Sequence, residues 1–159
     1  MVILDKLGEK MKKIAVVISL LVIFSSCENP TNSNDLEEFR VQRVIDGDTL
    51  ELTNGERIRL IGVDAPELNQ SGGNEARLFV ENKVLNRVVW LEADGNDRDT
   101  FGRLRRYVWL QQPSNPQDES QIRNYMLNAL LLINNHANVM IVGTVRNEAL
   151  FRQLESERN

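Results

Sequence analysis

An Asn54-Gly55 pair separates two short segments, residues 49–53 and 57–63, that have the composition of β-strands. Asparagine followed by glycine favours the two-residue turn that joins antiparallel strands, so the two segments are predicted to form a β-hairpin. In the second segment apolar residues alternate with arginines, which places the two kinds of side chain on opposite faces. The sequence therefore predicts a sheet with one face in a hydrophobic core and the other carrying arginines.

The rest of the chain divides into strand-like and helix-like segments. Three further segments are predicted strands: residues 39–45, 88–93 and 104–110. Three segments are predicted helices: residues 74–86, 122–134 and 147–157. Five short strands with about three α-helices predict an α+β fold, a five-stranded Greek-key β-barrel of the oligonucleotide-binding (OB-fold) type.

The composition limits the chemistry that this chain can perform. Its 159 residues are 42% apolar, which suits a single domain with its own core. Lys and Arg number 19 against 23 Asp and Glu, whereas proteins that hold nucleic acid by bulk charge are usually basic. One Cys and one His exclude a zinc site built from these residues, which leaves carboxylates, arginines and a hard metal ion as candidate catalytic groups.

The first 26 residues have the order of a secretory signal peptide. Two lysines precede an uncharged apolar run over residues 14–24, and two serines lead directly to Cys27. The run is shorter than the roughly 20 residues of a membrane span. The serines and Cys27 resemble a bacterial lipoprotein box, so we expect export and a lipid anchor at Cys27. Met11 is a second candidate start, and the alternative to a signal is a buried amphipathic helix followed by a free cysteine.

Residues 27–37 are polar and turn-forming, which predicts a flexible tether before a domain over residues 38–159. Two acidic and four basic residues precede Cys27, so the mature chain has 15 basic and 21 acidic residues and a net charge of −6. Any attraction for a polyanion must therefore be local, from a cation and a few arginines. We expect a monomer in the cell envelope or outside the cell.

Three polar segments carry the candidate catalytic residues. Residues 45–49 (IDGDT) place two carboxylates on either side of a glycine where two strands meet. Residues 59–67 (RLIGVDAPE) end a strand at Asp64, and the proline holds Glu67 close to the strand end. Residues 99–103 (DTFGR) place an arginine after a glycine turn. Carboxylates that lie close together repel each other unless a cation is present. Each segment alone also has an ordinary structural explanation: the first as a turn, the second as a charged strand end and the third as a solvated hairpin.

The three segments together, in this order and spacing, resemble the staphylococcal nuclease (thermonuclease) family. The resemblance covers about residues 39–142, and residues 73–76 (GNEA) resemble the start of the family's first helix. It implies an OB-fold barrel and a nuclease that hydrolyses the phosphodiester bonds of DNA, RNA or both with one Ca²⁺ ion. The alternatives are a non-catalytic OB-fold module that binds nucleic acid and an envelope lipoprotein with a structural role.

The resemblance implies a metal site. Asp48 and Asp64 would bind Ca²⁺ through their carboxylates, the backbone carbonyl of Ala65 would be the third protein ligand, and Asp46 would lie just outside these ligands. Three oxygen ligands leave part of a coordination shell of roughly 6–8 for water and substrate. Mn²⁺ and Mg²⁺ accept similar ligands, so the choice of Ca²⁺ rests on the family.

Three further residues would act on the phosphodiester. The resemblance implies that Glu67 is the general base for the attacking water and that Arg59 and Arg103 bind the phosphate oxygens. Guanidinium groups match the charge that collects on these oxygens in the transition state better than ammonium groups do. The single histidine, His136, lies near the end of a predicted helix and is expected to be structural or at the surface.

Several features differ from the family pattern. Residues 139–143 (VMIVG) contain no aromatic side chain to stack on a nucleotide base, and Phe101 stands where a tyrosine is common. The loop over residues 68–74 (LNQSGGN) contains no basic residue. The sequence ends at Asn159, so we expect a shortened last helix and reduced stability. These differences predict a complete catalytic centre with weakened substrate binding.

Overall fold

The computed structural model of the protein describes residues 36–158. Seven β-strands and four α-helices occur within this range. In chain order they are β1 (Glu37–Val44), β2 (Thr49–Leu52), β3 (Arg57–Leu60), β4 (Val63–Asp64), α1 (Gly73–Val84), β5 (Val88–Arg98), β6 (Leu104–Trp109), α2 (Glu119–Tyr125), α3 (Leu127–Ile133), β7 (Asn138–Val139) and α4 (Glu148–Glu157). The predicted signal peptide, Cys27 and most of the predicted tether lie outside the described residues.

Five strands close a barrel in the order β1-β2-β3-β6-β5. Neighbouring strands are antiparallel except β3 and β6, which run parallel. β4 and β7 form a separate antiparallel pair. The closed barrel with its helices confirms the predicted α+β fold class. Among residues 36–158, no helix has the length and apolar content that crossing a membrane requires.

The predicted hairpin joins β2 to β3. Gly55 has a φ of +86°, a left-handed conformation that glycine adopts readily, and its N–H donates to the Leu52 carbonyl at 2.9 Å. The register of the two strands pairs Thr49 with Arg59. This register brings the end of the IDGDT segment beside the arginine of the second motif, which is the first step in assembling the candidate site.

The segment predicted as one strand over residues 57–63 is interrupted between β3 and β4. Gly62 has a φ of +79°, and a Cβ at this position would lie 2.7 Å from the Phe151 ring of α4. Glycine satisfies both the left-handed backbone and the close approach of the ring. The chain therefore leaves the barrel after β3, and Asp64 ends a strand outside it, where 54% of the side chain is exposed.

The helix predicted over residues 122–134 is two helices, α2 and α3, which are separated at Met126. Met126 has an extended backbone (φ −86°, ψ 117°) and forms a bridge to Trp109 of β6. Asn128 of α3 is fully buried and donates to the Ile61 carbonyl at 2.9 Å. These contacts with the barrel outweigh the helical preference of the local sequence, because they satisfy buried polar groups and bury two large side chains.

The hydrophobic core fills the barrel and extends under the helices. α1 contributes Ala76, Val80 and Val84, and α4 contributes Phe151 and Leu154. The core lies within the described part of the chain, and the barrel around it is closed. Residues 36–158 therefore contain what a domain needs to fold on its own.

Candidate active site

Asp48 lies immediately before β2, in the turn that follows β1. The Asp46 carboxylate accepts a hydrogen bond from the Asp48 N–H at 2.9 Å, which fixes the turn. A Cβ on Gly47 would lie 2.5 Å from the Ala65 Cβ and 2.8 Å from the Ala76 Cβ, so glycine allows the turn to pack closely against these residues. Asp48 is 7% exposed as a result.

Arg59 of β3 joins Asp48 to Asp64. The Arg59 Nη1 lies 3.2 Å from the Asp48 Oδ2, and the Arg59 Nη2 donates to the Asp64 Oδ1 at 3.0 Å. The Nη1 also donates to the carbonyls of Leu60 at 3.0 Å and Val63 at 2.7 Å. Two carboxylates from separate segments thus converge on one guanidinium, whose side chain is only 12% exposed.

Burial raises the pKa of Asp48 from 3.8 to about 6, because loss of water disfavours its anion more than its partners favour it. Those partners are the Arg59 charge, the Ala65 N–H at 2.9 Å and the Thr49 hydroxyl at 3.1 Å. The ionised carboxylate is therefore incompletely compensated. An additional cation at this position would stabilise it.

Asp48 and its neighbours supply the kinds of oxygen atom that a hard divalent cation binds. Asp48 and Asp64 offer carboxylate oxygens, and Ala65, which follows Asp64, offers a backbone carbonyl. Within residues 36–158, no three His, Cys, Asp or Glu side chains are arranged to bind a metal ion. A metal held here would therefore need a backbone oxygen as its third protein ligand.

Arg103 reaches the same site from the hairpin between β5 and β6. Its Nε donates to the Asp99 Oδ2 at 2.6 Å, and its Nη1 donates to the Thr49 hydroxyl at 3.1 Å. The Phe101 ring lies 5.4 Å from the guanidinium carbon, within range of a cation–π contact. The Thr49 hydroxyl also donates to the Asp48 carboxylate and so connects Arg103 to the carboxylates. We did not predict this connecting role of Thr49, and its place in the IDGDT segment was the only sequence signal for it.

Glu67 lies on the loop between β4 and α1. Its N–H donates to the Gln70 side chain at 3.0 Å, and its carbonyl accepts from the Gln70 N–H at 2.8 Å. A Cβ on Gly73 would lie 2.0 Å from the Glu67 carbonyl oxygen, so glycine permits the loop to fold back. The exposed Glu67 carboxylate faces the same surface depression as Asp46 and forms no hydrogen bond within residues 36–158. The structure therefore places Glu67 beside Asp46 and open to solvent.

A cleft of about 280 Å³ adjoins the arginines. Its walls include Arg59, Arg103, Arg105, Phe101, Met140 and Val142. Arg105 is only 8% exposed, donates to the Val142 carbonyl at 2.9 Å and has no carboxylate partner among residues 36–158. A buried guanidinium without an acid is unusual, and we did not predict Arg105 as a site residue because it lies in a short run of arginines. The cleft offers positive charge and apolar surface to one ligand.

One protein family matches most of the described part of the chain. The model of the staphylococcal nuclease homologue family matches residues 57–158. The chain belongs to the staphylococcal nuclease homologue family. The matched range contains five of the predicted site residues but begins after Asp48, which the structure joins to them through its contacts with Arg59 and Ala65.

The relatives of the chain include proteins that are named as nucleases. It is 35% identical over 112 residues to the thermonuclease of Staphylococcus hyicus, which covers 61% of this chain and 66% of the relative. It is 42% identical over 83 residues to the thermonuclease of Staphylococcus intermedius, which covers 46% and 49% of the two chains. It is 36% identical over 90 residues to an uncharacterized endonuclease of Haemophilus influenzae, and the match covers 52% of this chain and 48% of the relative. The chain thus spans just under two thirds of the length of the first of these relatives and about half the length of the other two.

Proposed function

We propose that the protein is a Ca²⁺-dependent nuclease that hydrolyses phosphodiester bonds of DNA, RNA or both. The observation that carries this proposal is the convergence of Asp48 and Asp64 on Arg59, beside Arg103 and a cleft. Membership of the family, and relatives named thermonuclease or endonuclease, support it. We also propose that the protein is exported, acts as a monomer and is either anchored through Cys27 or released, on the strength of the signal-like pattern before Cys27.

In this proposal Asp48, Asp64 and the Ala65 carbonyl hold one Ca²⁺ ion. When bound, the cation neutralises charge on the phosphodiester and polarises the phosphoryl group. The Ala65 N–H and the Thr49 hydroxyl orient the Asp48 carboxylate, while Asp46 fixes the turn before it. The buried carboxylate is thereby held in place before any ligand arrives, which reduces the cost of organising the site.

The arginines retain donors for the phosphate oxygens. A guanidinium has five N–H donors. In Arg59 the Nη1 donates to two carbonyls and the Nη2 to Asp64, so the Nε–H and one Nη2–H have no hydrogen-bond partner within residues 36–158. In Arg103 the Nε and Nη1 are engaged and the Nη2 is not. Both guanidinium groups are held by the protein and can still contact a phosphate.

Glu67 is positioned for proton transfer with water. Its backbone is fixed by Gln70, while its carboxylate is exposed and without a hydrogen-bond partner in the described part of the chain. A carboxylate that is open to solvent can contact a water molecule and accept its proton as that water attacks phosphorus. We therefore assign Glu67 the role of general base, separate from the carboxylates that would bind the cation.

Arg103→Lys is expected to reduce kcat by about 10²-fold, because an ammonium cannot reproduce the planar set of donors that contacts Asp99, Thr49 and a phosphate. Steady-state cleavage of a labelled oligonucleotide measures the change. Arg152→Lys, at an exposed position of α4, is the control and should retain wild-type activity. A loss of less than about threefold for Arg103→Lys would exclude Arg103 from transition-state binding.

The alternative function is a module that binds nucleic acid without cleaving it. Such a module has no need of two carboxylates that face the phosphate of its ligand. The experiment that separates the two functions incubates residues 28–159 with single-stranded DNA, duplex DNA and RNA, each with Ca²⁺ or with a chelator. Cleavage that the chelator abolishes supports the nuclease, whereas binding without cleavage under every condition would support the module.

A further inference from the structure

The domain carries a second group of positive charges at the C-terminal end of α1. Of 15 Lys and Arg residues among residues 36–158, 11 form ion pairs with carboxylates of the same range. The four that do not are Arg40, Lys83, Arg87 and Arg105. Arg105 belongs to the cleft described above. The other three, which we call the basic patch, lie near one another, since Lys83 and Arg87 line one depression and Arg40 donates to the Asn86 carbonyl at 2.5 Å.

The depression beside the basic patch is lined by apolar, amide and basic side chains. Its volume is about 360 Å³, and it is lined by Phe79, Asn82, Lys83, Arg87, Val88 and Leu110. The Lys83 Nζ lies 4.6 Å from the centre of the Phe79 ring, and the centre of the His136 ring lies 4.4 Å from the same point. An aromatic face, an amide and two cations are the groups with which proteins hold a base and its neighbouring phosphates.

Local structure explains only part of the basic patch. Lys83 lies in the last turn of α1, where a cation is favoured by the helix dipole, and Arg40 satisfies a backbone carbonyl. Arg87 is exposed and makes neither an ion pair nor a side-chain hydrogen bond within residues 36–158. The nearest acid of α1, Glu81, is already paired with Arg77 at 2.7 Å. An uncompensated patch on an acidic chain is a local attraction for a polyanion.

We propose that the basic patch and its depression form a second binding site for single-stranded nucleic acid. One base would pack on Phe79, and the neighbouring phosphates would contact Lys83 and Arg87. The identity of this ligand rests on the proposed nuclease function. The site would bind parts of a long strand that lie outside the catalytic cleft, and so raise affinity without taking part in the chemistry.

Strand β5 gives the separation of the two sites. Val88 begins β5 and lines the depression, whereas Asn96, near the other end of β5, lines the catalytic cleft. Eight residue steps of about 3.3 Å set an upper limit of about 26 Å on the distance between the two positions, because β5 is irregular between Ala93 and Arg98. A strand within a duplex has one phosphate per roughly 3.4 Å, and a single strand can extend further, so at most about 7–8 nucleotides cover that distance. A long oligonucleotide can therefore reach both sites, and a dinucleotide cannot.

The test compares Lys83→Gln/Arg87→Gln with Arg43→Gln/Arg152→Gln, a control that removes two exposed positive charges elsewhere. Binding of a fluorescent oligothymidylate of about 20 nucleotides is measured with chelator present, so that no strand is cleaved. We expect the patch variant to raise Kd about tenfold and to reduce the slope of log K against log salt by about 1.4, or 0.7 for each lost phosphate contact. The KM for a dinucleotide should stay within about twofold of wild type.

The chain's single histidine provides a local reporter, because the His136 ring contacts Phe79. Its imidazole proton signals should shift when the oligothymidylate is added to wild type and should not shift with the patch variant. Equal Kd values for the patch and control variants, or unchanged histidine signals, would overturn the proposal. The proposal would also be overturned if the patch variant lost binding to vesicles of anionic phospholipid but bound the oligothymidylate as tightly as the control variant does. Because binding is measured without cleavage, an inactive wild type would contradict the nuclease function and not this site.

Discussion

Glu67→Gln is expected to reduce kcat for phosphodiester cleavage by about 10²–10⁴-fold, because an amide cannot accept a proton from the attacking water. The melting temperature should not change, since the Glu67 carboxylate is exposed and has no hydrogen-bond partner within residues 36–158. Single-turnover cleavage of a labelled oligonucleotide measures the chemical step, and circular dichroism measures the melting temperature. The combination of a large kinetic effect and no effect on stability distinguishes a catalytic side chain from a structural one.

The matched control for this substitution is Glu38→Gln, which removes an exposed carboxylate from β1, away from the depression that Glu67 lines. The control should cleave at the wild-type rate. If Glu67→Gln kept more than about a tenth of the wild-type rate, another group would have to be the base. Asp46 would then be the next candidate, because its side chain faces the same depression.

Asp48→Asn is expected to abolish Ca²⁺-dependent cleavage and, at the same time, to stabilise the fold. Burial raises the pKa of Asp48 from 3.8 to about 6, so the folded state binds a proton more readily than the unfolded state. The contribution of Asp48 to stability is greatest below about pH 4, and it is lost as pH rises through about 6. Near pH 8 the ionised carboxylate costs about 2–3 kcal/mol, and a neutral asparagine of the same shape removes most of that cost.

The measurement for Asp48→Asn is thermal melting at two pH values with chelator present. Near pH 8 the variant should melt about 4–8 °C above wild type, and near pH 4 the difference should vanish because wild-type Asp48 is protonated there. The control is Asp97→Asn, which removes a surface carboxylate whose side chain is 63% exposed. This control should change the free energy of unfolding by less than about 0.5 kcal/mol. Equal or lower stability of Asp48→Asn near pH 8 would show that burial does not penalise this carboxylate in the folded protein.

The local elements of the fold could be predicted because short-range chemistry determines them. Asn54-Gly55 requires a tight turn, and the alternation in the following segment fixes which residues enter the core. Once β2 and β3 pair, the IDGDT segment must lie beside Arg59, so the meeting of two of the three motifs follows from the hairpin register. The closed barrel confirms the predicted fold class, and the family match confirms the predicted family.

The interruptions in the predicted elements could not be seen in the sequence, because distant residues cause them. The break after β3 depends on the Phe151 ring, which arrives from α4 and leaves room only for Gly62. The division between α2 and α3 depends on the pairing of Met126 with Trp109 of β6. The burial of Asp48 depends likewise on close packing of Gly47 against Ala65.

The environment of the arginines was also beyond the sequence. Arg105 and Arg106 are adjacent, yet Arg105 is buried at the cleft while Arg106 pairs with Asp97 at 2.7 Å. Arg87 has the same side chain as the ion-paired arginines and differs from them in what surrounds it in the folded chain. Which cations are neutralised is a property of the tertiary structure, and it determines where an acidic protein can attract a polyanion.

The most direct test of the central claim is hydrolysis of a labelled oligonucleotide in water enriched with oxygen-18, using wild type and Glu67→Gln in Ca²⁺ and in chelator. If water activated by Glu67 attacks phosphorus, each bond that the wild type cleaves in Ca²⁺ should place one heavy oxygen on a product phosphate. Chelator or the Glu67→Gln substitution should suppress both cleavage and incorporation. Cleavage without incorporated heavy oxygen, or cleavage that neither chelator nor substitution reduces, would contradict the account.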